Sequence, residues 1–487
     1  MPGWPRSACT PRARLEAPQA RLRDAAAPRA GGLGAPFSAR WLGRRLHQLV
    51  GPLRGARFCV AYSGGSDSTA LLAALAGLRS ARHCTVRALH VNHHLQPGAD
   101  AWADAALLLA RRVGVPCRAL DVAARAARGE SPEAAARTAR YGALCAALHP
   151  GEWLVLAQHQ DDQAETLLLQ LLRGAGVAGL ASMPARSGVL LRPLLDVTRE
   201  QLRAYVQRRA LPWTEDPSNT ELRFDRNYLR HQVLPLIQAR WPSLRTTLGR
   251  TAALAAEAQA LLSALADSQL TAAYDGAALR VAVLRRLNPA ERHNGVRRWL
   301  DRRGLPMPDQ RRLQEICGPL LRARHDAQPE VRWPGGCVRR HGARLHAEAE
   351  PAPLAVSAPT ALRWRWLQER ALPLPDGARL ELHPDRHGDL LRTALPAEVV
   401  VRFREPDGSV GAARGGKRLK GLLQARAVPP WQRGQVPLLY AGRRLIAVAD
   451  LWRAPELGAA ARGDAVRGAS DRLRLRWHAA GHVSGRT

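Results

Sequence analysis

One short loop has the composition of a phosphate-binding site. An apolar segment, residues 58–62, leads into Ser-Gly-Gly-Ser-Asp-Ser at positions 63–68. Glycine lets the backbone turn tightly and approach a phosphate, and a helix that starts directly after the loop offers free N–H groups at its positive end. A Walker A loop needs a lysine before its Ser/Thr, and this loop has none, so phosphoryl transfer of the P-loop kind is disfavoured.

A second group of polar residues is acidic in an otherwise basic chain. Residues 158–166 read Gln-His-Gln-Asp-Asp-Gln-Ala-Glu-Thr, with three acids and no base. Asp162, Glu165 and Thr166 share one helical face by their spacing. Capping of a helix N-terminus could explain Asp161 alone, but it does not explain His159 or Glu165. Because magnesium prefers oxygen ligands or bound water, the cluster is a candidate metal site.

Two further groups could border the same site. The segment His90-Val-Asn-His-His-Leu95 follows an apolar run. Glu133, Arg137, Arg140 and Tyr141 fall on one predicted helix, where Glu133 and Arg137 are four residues apart and could form an ion pair. The alternative for this helix is a solvated face with a buried Tyr141.

The elements that must position these residues alternate between two periodicities. Short apolar runs predict buried strands at 58–62, 85–91, 117–122 and 153–157. Helical periodicity occurs at 66–78, 99–113, 132–148 and 161–173. This alternation predicts βαβ units and a parallel sheet covered on both faces. Since ligands of such sheets bind at the carboxyl ends of the strands, the loop and the acidic cluster should lie at one edge.

The rest of the chain shows a different organisation. Segment 187–193 is expected to end the first domain, and helices are predicted at 198–209, 244–270 and 289–303. Strand-like segments return at 378–382 and 443–448, which indicates a mixed α/β domain at the C-terminus. Residues 351–359, rich in Pro and Ala, are predicted to be a linker.

The composition favours a polyanionic partner. Among 487 residues, 73 Lys+Arg outweigh 41 Asp+Glu for a formal charge of +32, and nucleic acid is a better candidate than acidic lipid. All the basic residues except Lys417 and Lys420 are arginine, so a codon bias toward arginine is an alternative source of the charge. No apolar run is long enough to span a membrane, and no secretory signal is recognisable. The seven scattered cysteines form no Cys-x-x-Cys pair, which argues against a disulfide framework, a zinc ribbon and an iron–sulfur site.

One basic stretch near the C-terminus combines charge with an aromatic residue. Residues 411–433 contain six bases and no acid, together with Trp431. Such a stretch suits phosphate contact and base stacking, although a solvated basic face would look the same. The six bases are Arg414, Lys417, Arg418, Lys420, Arg426 and Arg433.

These motifs resemble bacterial tRNA(Ile)-lysidine synthetases, a family of the PP-loop (N-type) ATP pyrophosphatase superfamily. The resemblance covers most of residues 57–235 in family order and returns near the C-terminus, whereas about 240–390 matches loosely. Many relatives carry histidine where Gln158 stands. The residues that carry the resemblance are Ser63–Ser68, His90–Leu95, Glu133, Arg137, Arg140, Tyr141, His159, Asp161–Gln163, Glu165, Thr166, Leu172–Leu180, Arg192–Leu195, Trp213, Glu215–Asn219, Arg226, Asn227, Arg230, Pro235, Lys417, Lys420, Pro429–Trp431, Arg433 and Val436–Tyr440.

The resemblance implies an architecture. The fold class is α/β: a parallel-sheet PP-loop domain of the adenine nucleotide alpha hydrolase type, a helical middle domain and a small α/β C-terminal domain. The expected domains are a basic low-complexity tail (1–45), the PP-loop catalytic domain (46–235), a mainly helical tRNA-binding or linker domain (236–370) and a C-terminal tRNA-binding domain (371–487).

The resemblance also implies a reaction. ATP and Mg²⁺ adenylate the C2 oxygen of the wobble cytidine in tRNA(Ile) with a CAU anticodon. The side-chain amine of free L-lysine then replaces AMP, forms lysidine and switches decoding from AUG to AUA.

The implied sites fall on the motifs. Asp67, Arg137, Arg140, His159 and Asp162 would be catalytic, with Asp67 and Asp162 on magnesium. The tRNA would contact Arg414, Lys417, Arg418, Lys420 and Arg433. The phosphates would lie on Ser63, Gly64, Gly65, Ser66, Asp67 and Ser68.

Two alternative functions are compatible with these motifs: a PP-loop tRNA thiolase, and a basic RNA-binding protein without catalysis. The protein is expected to be cytoplasmic, without a membrane partner, and either a monomer or a homodimer.

Overall fold

The computed structural model divides the chain into two compact units, Met1–Ala349 and Glu350–Thr487. None of its helices is long and apolar enough to cross a membrane, in the part of the chain described. The predicted linker 351–359 and the first 35 residues of the predicted tail lie outside that part. The structure describes residues 36–94, 98–122, 132–215, 217–324, 327–349, 361–375, 377–388, 390–403, 416–426, 428–457 and 472–478.

The first unit is built on the predicted parallel sheet. Six strands lie in the order β3-β2-β1-β4-β6-β5, and all neighbours are parallel except β5 and β6. The four predicted strands and four predicted helices are confirmed, with boundaries that shift by one or two residues. The strands are β1 (Arg57–Ala61), β2 (Thr85–Asn92), β3 (Cys117–Asp121), β4 (Glu152–Val155), β5 (Arg186–Ser187) and β6 (Leu190–Leu191).

Helices cover both faces of this sheet. Along β1 the side chains alternate: Phe58 and Val60 enter one apolar cluster, whereas Cys59 enters the other with Tyr141 and Leu144. A strand buried on both faces reads as a continuous apolar run, which is why β1 was recognisable. The helices up to residue 208 are α1 (Ala39–Val50), α2 (Ser66–Ala76), α3 (Arg79–Arg82), α4 (Ala99–Arg112), α5 (Pro132–Ala146), α6 (Gln160–Leu172), α7 (Val177–Leu180) and α8 (Arg199–Arg208).

One of these helices is stabilised by a capping box, and another is anchored by core packing. Helix α8 begins with a capping box, in which the Thr198 hydroxyl accepts from the Gln201 N–H and the Gln201 side chain accepts from the Thr198 N–H. Helix α1 overlaps the end of the predicted 1–45 tail, and its Leu42 and Leu46 are fully buried in the core of the sheet.

The middle of the chain is helical first and then forms a sheet. Helix α11 (Leu244–Leu270) has the predicted boundaries, and the predicted 289–303 helix ends one residue earlier. The same region also forms a five-stranded antiparallel sheet, β7-β8-β11-β10-β9, although a mainly helical domain was predicted for residues 236–370. Its strands are short and alternate buried with exposed positions, many of the exposed ones arginine, so no continuous apolar run marks them.

The rest of the first unit consists of helices, π-helical turns and the strands of the antiparallel sheet. The helices are α9 (Asp225–Tyr228), α10 (Leu234–Arg240), α12 (Val281–Arg286), α13 (Pro289–Arg302) and α14 (Gln310–Glu315), with π-helical turns at Leu229–Val233 and Ile316–Leu320. The strands are β7 (Tyr274–Asp275), β8 (Ala278–Arg280), β9 (Glu330–Trp333), β10 (Gly336–His341) and β11 (Arg344–Glu348).

The second unit contains two antiparallel sheets and one described helix, α15 (Gly416–Ala425). The sheet orders are β12-β16-β17-β18-β19 and β13-β14-β20-β15. Both predicted strands of this region are present, as β14 and β18. The strands are β12 (Ala361–Trp364), β13 (Ala371–Pro373), β14 (Arg379–Pro384), β15 (Leu390–Leu391), β16 (Val399–Arg402), β17 (Leu438–Ala441), β18 (Arg444–Val448), β19 (Trp452–Arg453) and β20 (Arg472–His478).

Candidate active site

The loops after β1 and β4 meet at the carboxyl edge of the sheet. The chain passes from β1 to β2 and β3 on one side, and then returns to place β4 on the other side of β1. This reversal is the switch point at which open α/β sheets bind ligands. It brings Asp67 of the first loop to 3.4 Å from His159 of the second, measured from carboxylate Oδ2 to imidazole Nε2.

The loop of residues 63–68 is held open by its own serines. The Ser63 and Ser68 hydroxyls are 3.0 Å apart, and the Ser68 hydroxyl donates to the Gly65 carbonyl at 3.0 Å. Gly64 has a φ of +85°, a conformation that favours glycine, and its carbonyl accepts from the Thr214 N–H at 2.9 Å. Helix α2 starts at Ser66, so its first N–H groups have no acceptor within the helix and are available to an anion.

His159 is the most buried ionisable group in the second loop. It is 2% exposed, and its Nδ1 lies 3.4 Å from Asp161 Oδ2, while Nε2 lies 3.6 Å from Asp162 Oδ2. Burial by itself would lower its pKa, but the carboxylates of Asp162, Asp161 and Asp67 outweigh burial and raise the pKa to about 10. His159 is therefore an imidazolium at neutral pH, able to donate a proton but without a free lone pair to accept one.

Asp161 links His159 to two helices outside the sheet. Its carboxylate accepts from the Arg199 N–H at the start of α8 at 3.0 Å and pairs with Arg245 of α11 at 2.5 Å. Burial would raise the pKa of Asp161, yet the hydrogen bond from His159 and its charge, with Arg199 and Arg245, lower it to about 2. The long helix α11 thus reaches the site directly through Arg245.

Asp162 faces protein groups on both of its oxygens. Oδ2 accepts from the His159 N–H at 3.0 Å, and Oδ1 lies 3.5 Å from Arg226 and 3.4 Å from Arg230. Burial opposes ionisation, but the charges of His159 and the two arginines hold its pKa below the usual value. Asp67 is the more accessible of the two proposed magnesium ligands, with 26% of its side chain exposed.

A buried carboxylate and two arginines form the floor beneath this cluster. Glu165 is fully buried (0% exposed) and pairs with Arg226 at 2.7 Å and with Arg230 at 2.7 Å. The sequence motif included all three residues without assigning them a role. The spacing of Arg226 and Arg230 could have identified them from the sequence, because residues four apart on a helix present their side chains on the same side.

Helix α5 brings arginines to the flank of the sheet. The guanidinium carbons of Arg137 and Arg140 lie 5.7 Å and 5.8 Å from the Tyr141 ring centre. Arg137 is close enough to the buried Arg192 to oppose its charge, and Arg140 similarly contributes, after burial, to the lowered pKa of His93. Arg192 itself donates to the Gln158 side chain at 2.6 Å, so Gln158 has a structural partner. The Glu133 side chain lies outside the described residues.

The histidine segment that begins in the last residues of β2 contacts the residue before the phosphate loop. His90 is buried, and its Nδ1 lies 3.0 Å from the carbonyl oxygen of Tyr62, the residue before the loop. Asn92 donates to Asp100 at 2.6 Å, and His94 lies between Asp100 and Asp121 at 3.1 Å and 2.9 Å.

The proposed tRNA contacts of the second unit are only partly described. Lys420 is exposed on α15, and Arg433 donates to the Val428 carbonyl at 3.0 Å. Lys417 and Arg418 belong to the same helix, but their side chains, like all of Arg414, fall outside the described residues.

Comparison with known proteins first gives the class. Residues 40–237 match the PP-loop domain, the segment that contains the parallel sheet and both loops. The sheet, the loop and this match define a PP-loop ATP-binding protein. Two further segments match more specialised domains: residues 279–346 the TilS substrate binding domain, and residues 399–477 the TilS substrate C-terminal domain.

Full-length relatives then give the family. A tRNA(Ile)-lysidine synthase of Alkalilimnicola ehrlichii is 42% identical over 85% of this chain and 93% of its own length. The proteins of that name from Methylococcus capsulatus and Coxiella burnetii are 41% and 38% identical, over 83% and 86% of this chain and 94% and 93% of their own lengths. The chain belongs to the tRNA(Ile)-lysidine synthase family.

A solved structure shows a much weaker likeness. The U34-tRNA thiolase NcsA of Methanococcus maripaludis, with its 4Fe-4S cluster, is 14% identical, with a TM-score of 0.36 over 44% of this chain and 77% of the thiolase.

Proposed function

We propose that this protein uses ATP to attach free L-lysine to C2 of the wobble cytidine in tRNA(Ile) with a CAU anticodon. The observation that carries the proposal is the meeting of the phosphate loop with the His159 cluster at the switch point, in a chain that matches all three domains of the family. We place this activity in the cytoplasm.

The phosphate loop explains how ATP would be held for adenylation. Backbone N–H groups at the start of α2 and the hydroxyls of Ser63, Ser66 and Ser68 surround one concave turn. Donors fixed in advance stabilise negative charge that develops on leaving pyrophosphate without reorganising during the reaction. The tRNA C2 oxygen is a poor leaving group, and its adenylation allows the lysine amine to displace it as AMP.

The His159 cluster would set the electrostatic environment of that reaction. His159 adds a positive charge next to Asp67, Asp161 and Asp162, and this charge helps to lower the pKa of Asp161 and of Asp162. Arg137 and Arg140 on α5 are proposed to contact the substrate or the charge that develops in the transition state.

Asp67, beside the phosphate loop, is the residue that we propose would hold magnesium together with the phosphates of ATP. No group of three or more His, Cys, Asp or Glu in the described residues is arranged to hold a metal ion. Asp67 offers a partly exposed carboxylate beside the loop, whereas the oxygens of Asp162 already face His159, Arg226 and Arg230. Magnesium bound there would neutralise phosphate charge, and Asp67 is its stronger candidate ligand.

The alternative activity, sulfur transfer, is disfavoured by the thiols. Sulfur-transfer cysteines react as thiolates and so need a lowered pKa. Burial raises the pKa of Cys59 and Cys317 to about 12 and that of Cys117 to about 11.

Incorporation of labelled lysine into purified tRNA(Ile), with and without ATP, tests the proposal. We expect ATP-dependent labelling that is lost in Asp67→Ala and retained in Asp104→Ala, an exposed acid on α4. Full labelling by Asp67→Ala would show that the site is wrongly assigned. No labelling by the unaltered protein would reject the function itself.

The basic C-terminal stretch has a separate test. We expect Lys417→Ala combined with Lys420→Ala to weaken tRNA binding and to leave ATP binding unchanged. Equal loss of both would place the RNA contact elsewhere.

A further inference from the structure

The amino ends of the strands carry a second charged surface, at the opposite edge of the sheet from the phosphate loop. It is formed by the end of α1, the turn before β1, helix α3 and the starts of β1 and β2. Five arginines define this amino-edge surface: Arg44, Arg54, Arg57, Arg79 and Arg82.

Two neighbouring hollows lie on the amino-edge surface. The larger, about 620 Å³, is lined by Arg44, Arg54 and Arg82, together with His47 and His83. The smaller, about 360 Å³, is lined by Arg57 and Arg79 with His149. The two hollows are neighbours because the same two segments line both of them. Arg54, just before β1, lines the larger and Arg57, in β1, the smaller; on α3, Arg82 lines the larger and Arg79 the smaller.

The five arginines have no carboxylate partner in the part of the chain that the structure describes. Among the described residues, none of the five forms an ion pair; Arg57 and Arg79 donate only to the Pro150 and Gly114 carbonyls. The acid that lines the smaller hollow, Glu152, is buried and paired with Arg87 at 2.8 Å.

Some arginines elsewhere in the chain do pair with carboxylates. Arg203, Arg311 and Arg379 are exposed, but each pairs with a carboxylate, at 3.2, 3.0 and 2.7 Å respectively. Among the described residues, other exposed arginines such as Arg111 and Arg112 on α4 also form no ion pair. The amino-edge surface differs from them because five such arginines line two neighbouring hollows.

We propose that the amino-edge surface binds the phosphate backbone of RNA, outside the nucleotide that is modified. The inference rests on the proposed function, which supplies tRNA as the polyanion. Strand β1 has five residues, so the surface lies roughly 17 Å from the phosphate loop. Contacts at that distance position the tRNA without reading its anticodon, as sequence-independent phosphate contacts do.

The lining of the hollows favours RNA over a membrane. Surfaces that bind lipid place Trp, Phe or Leu among the bases, so that apolar side chains enter the bilayer interface. The large apolar residue that lines the larger hollow is Leu53, which is only 5% exposed. The remaining lining is arginine, histidine, glycine and other small or polar residues, which offers charge without an inserting group.

A triple variant, Arg44→Ala, Arg54→Ala and Arg82→Ala, tests this surface in the full-length chain. Its control, Arg173→Ala, Arg203→Ala and Arg223→Ala, removes the same charge from exposed arginines that pair with carboxylates and lie outside the segments expected to bind tRNA. The Kd for tRNA(Ile) is measured against salt concentration, without ATP or lysine. For three lost phosphate contacts we expect a Kd at least about tenfold higher at 0.1 M salt and a salt slope smaller by about 2. The control should change the Kd less than threefold.

The other outcomes are equally decisive. Retained ATP binding and an unchanged melting temperature show that the triple variant is folded. If its Kd and salt slope equal those of the control, the surface does not bind RNA. If it loses binding to vesicles of phosphatidylglycerol and phosphatidylcholine but keeps binding to tRNA, the partner is a membrane and the proposal is overturned. Because the assay needs no catalysis, loss of tRNA binding would support the surface even if lysine labelling failed.

Discussion

Replacing Glu165 by glutamine should be the most damaging conservative change near the site. The Glu165 carboxylate is fully buried and accepts from Arg226 at 2.7 Å and from Arg230 at 2.7 and 3.0 Å. Glutamine keeps the shape but removes the charge, and it turns an NH₂ donor toward guanidinium N–H groups. Two partly buried arginines would then lose their main counter-ion.

The expected cost follows from how these charges are buried. Breaking a buried ion pair by removing one partner costs about 3–5 kcal/mol, because an uncompensated charge is left inside. Asp162 lies 3.4 and 3.5 Å from the same arginines and remains in place, so we expect the lower end, about 3 kcal/mol. At an unfolding entropy of about 2.1 cal/mol/K per residue, the melting temperature of the first unit, Met1–Ala349, should fall by about 4 °C.

The assay is thermal and urea unfolding of the full chain, followed through the transition of the first unit. Glu200→Gln is the matched control, because Glu200 is 65% exposed and lies 3.5 Å from Arg245. An exposed pair of this kind contributes less than about 1 kcal/mol. A loss below about 1 kcal/mol in Glu165→Gln would refute the view that this carboxylate supports the cluster above it.

Three further predictions concern the site itself. The pKa of His159 in the folded protein, about 10, exceeds its ordinary value of 6.5. Its contribution to stability is therefore complete below pH 6.5 and is lost as pH rises through 10. The difference in the free energy of unfolding between the unaltered protein and His159→Gln, measured with urea, should shrink over that range. Arg245→Ala, which removes one of the partners of Asp161, should lower kcat for lysine labelling with little change in the KM for ATP. Arg245→Lys should restore part of the lost kcat. Equal kcat in the unaltered protein and both variants would contradict a link through α11. Gly64→Ala should weaken ATP binding about 5- to 30-fold, because alanine at a φ of +85° costs about 1–2 kcal/mol, and unchanged ATP affinity by calorimetry would contradict it.

The central sheet and its loops could be predicted from the chain because they are locally encoded. Strands buried on both faces are continuous apolar runs, so β1 to β4 were located to within one or two residues. Parallel strands place their carboxyl ends at one edge, so the phosphate loop and the acidic cluster were expected together, and Asp67 lies 3.4 Å from His159. The five-stranded sheet of the middle region was missed, because its short strands alternate too briefly to stand out from arginine-rich surface.

Charge states and long-range partners depended on the folded chain. The pKa of His159 near 10 depends on three carboxylates that outweigh burial; Asp161 and Asp162 are close in sequence, but Asp67 comes from the loop after another strand. Glu165 finds its arginines more than sixty residues later, and Asp161 meets Arg245 from the long helix. The amino-edge arginines likewise look like the others in composition, and only packing shows that they lie together and that none pairs with an acid among the described residues. Local patterns specify elements because backbone hydrogen bonding and side-chain periodicity act between near neighbours. Electrostatic environment is set by which distant residues burial brings within a few ångströms.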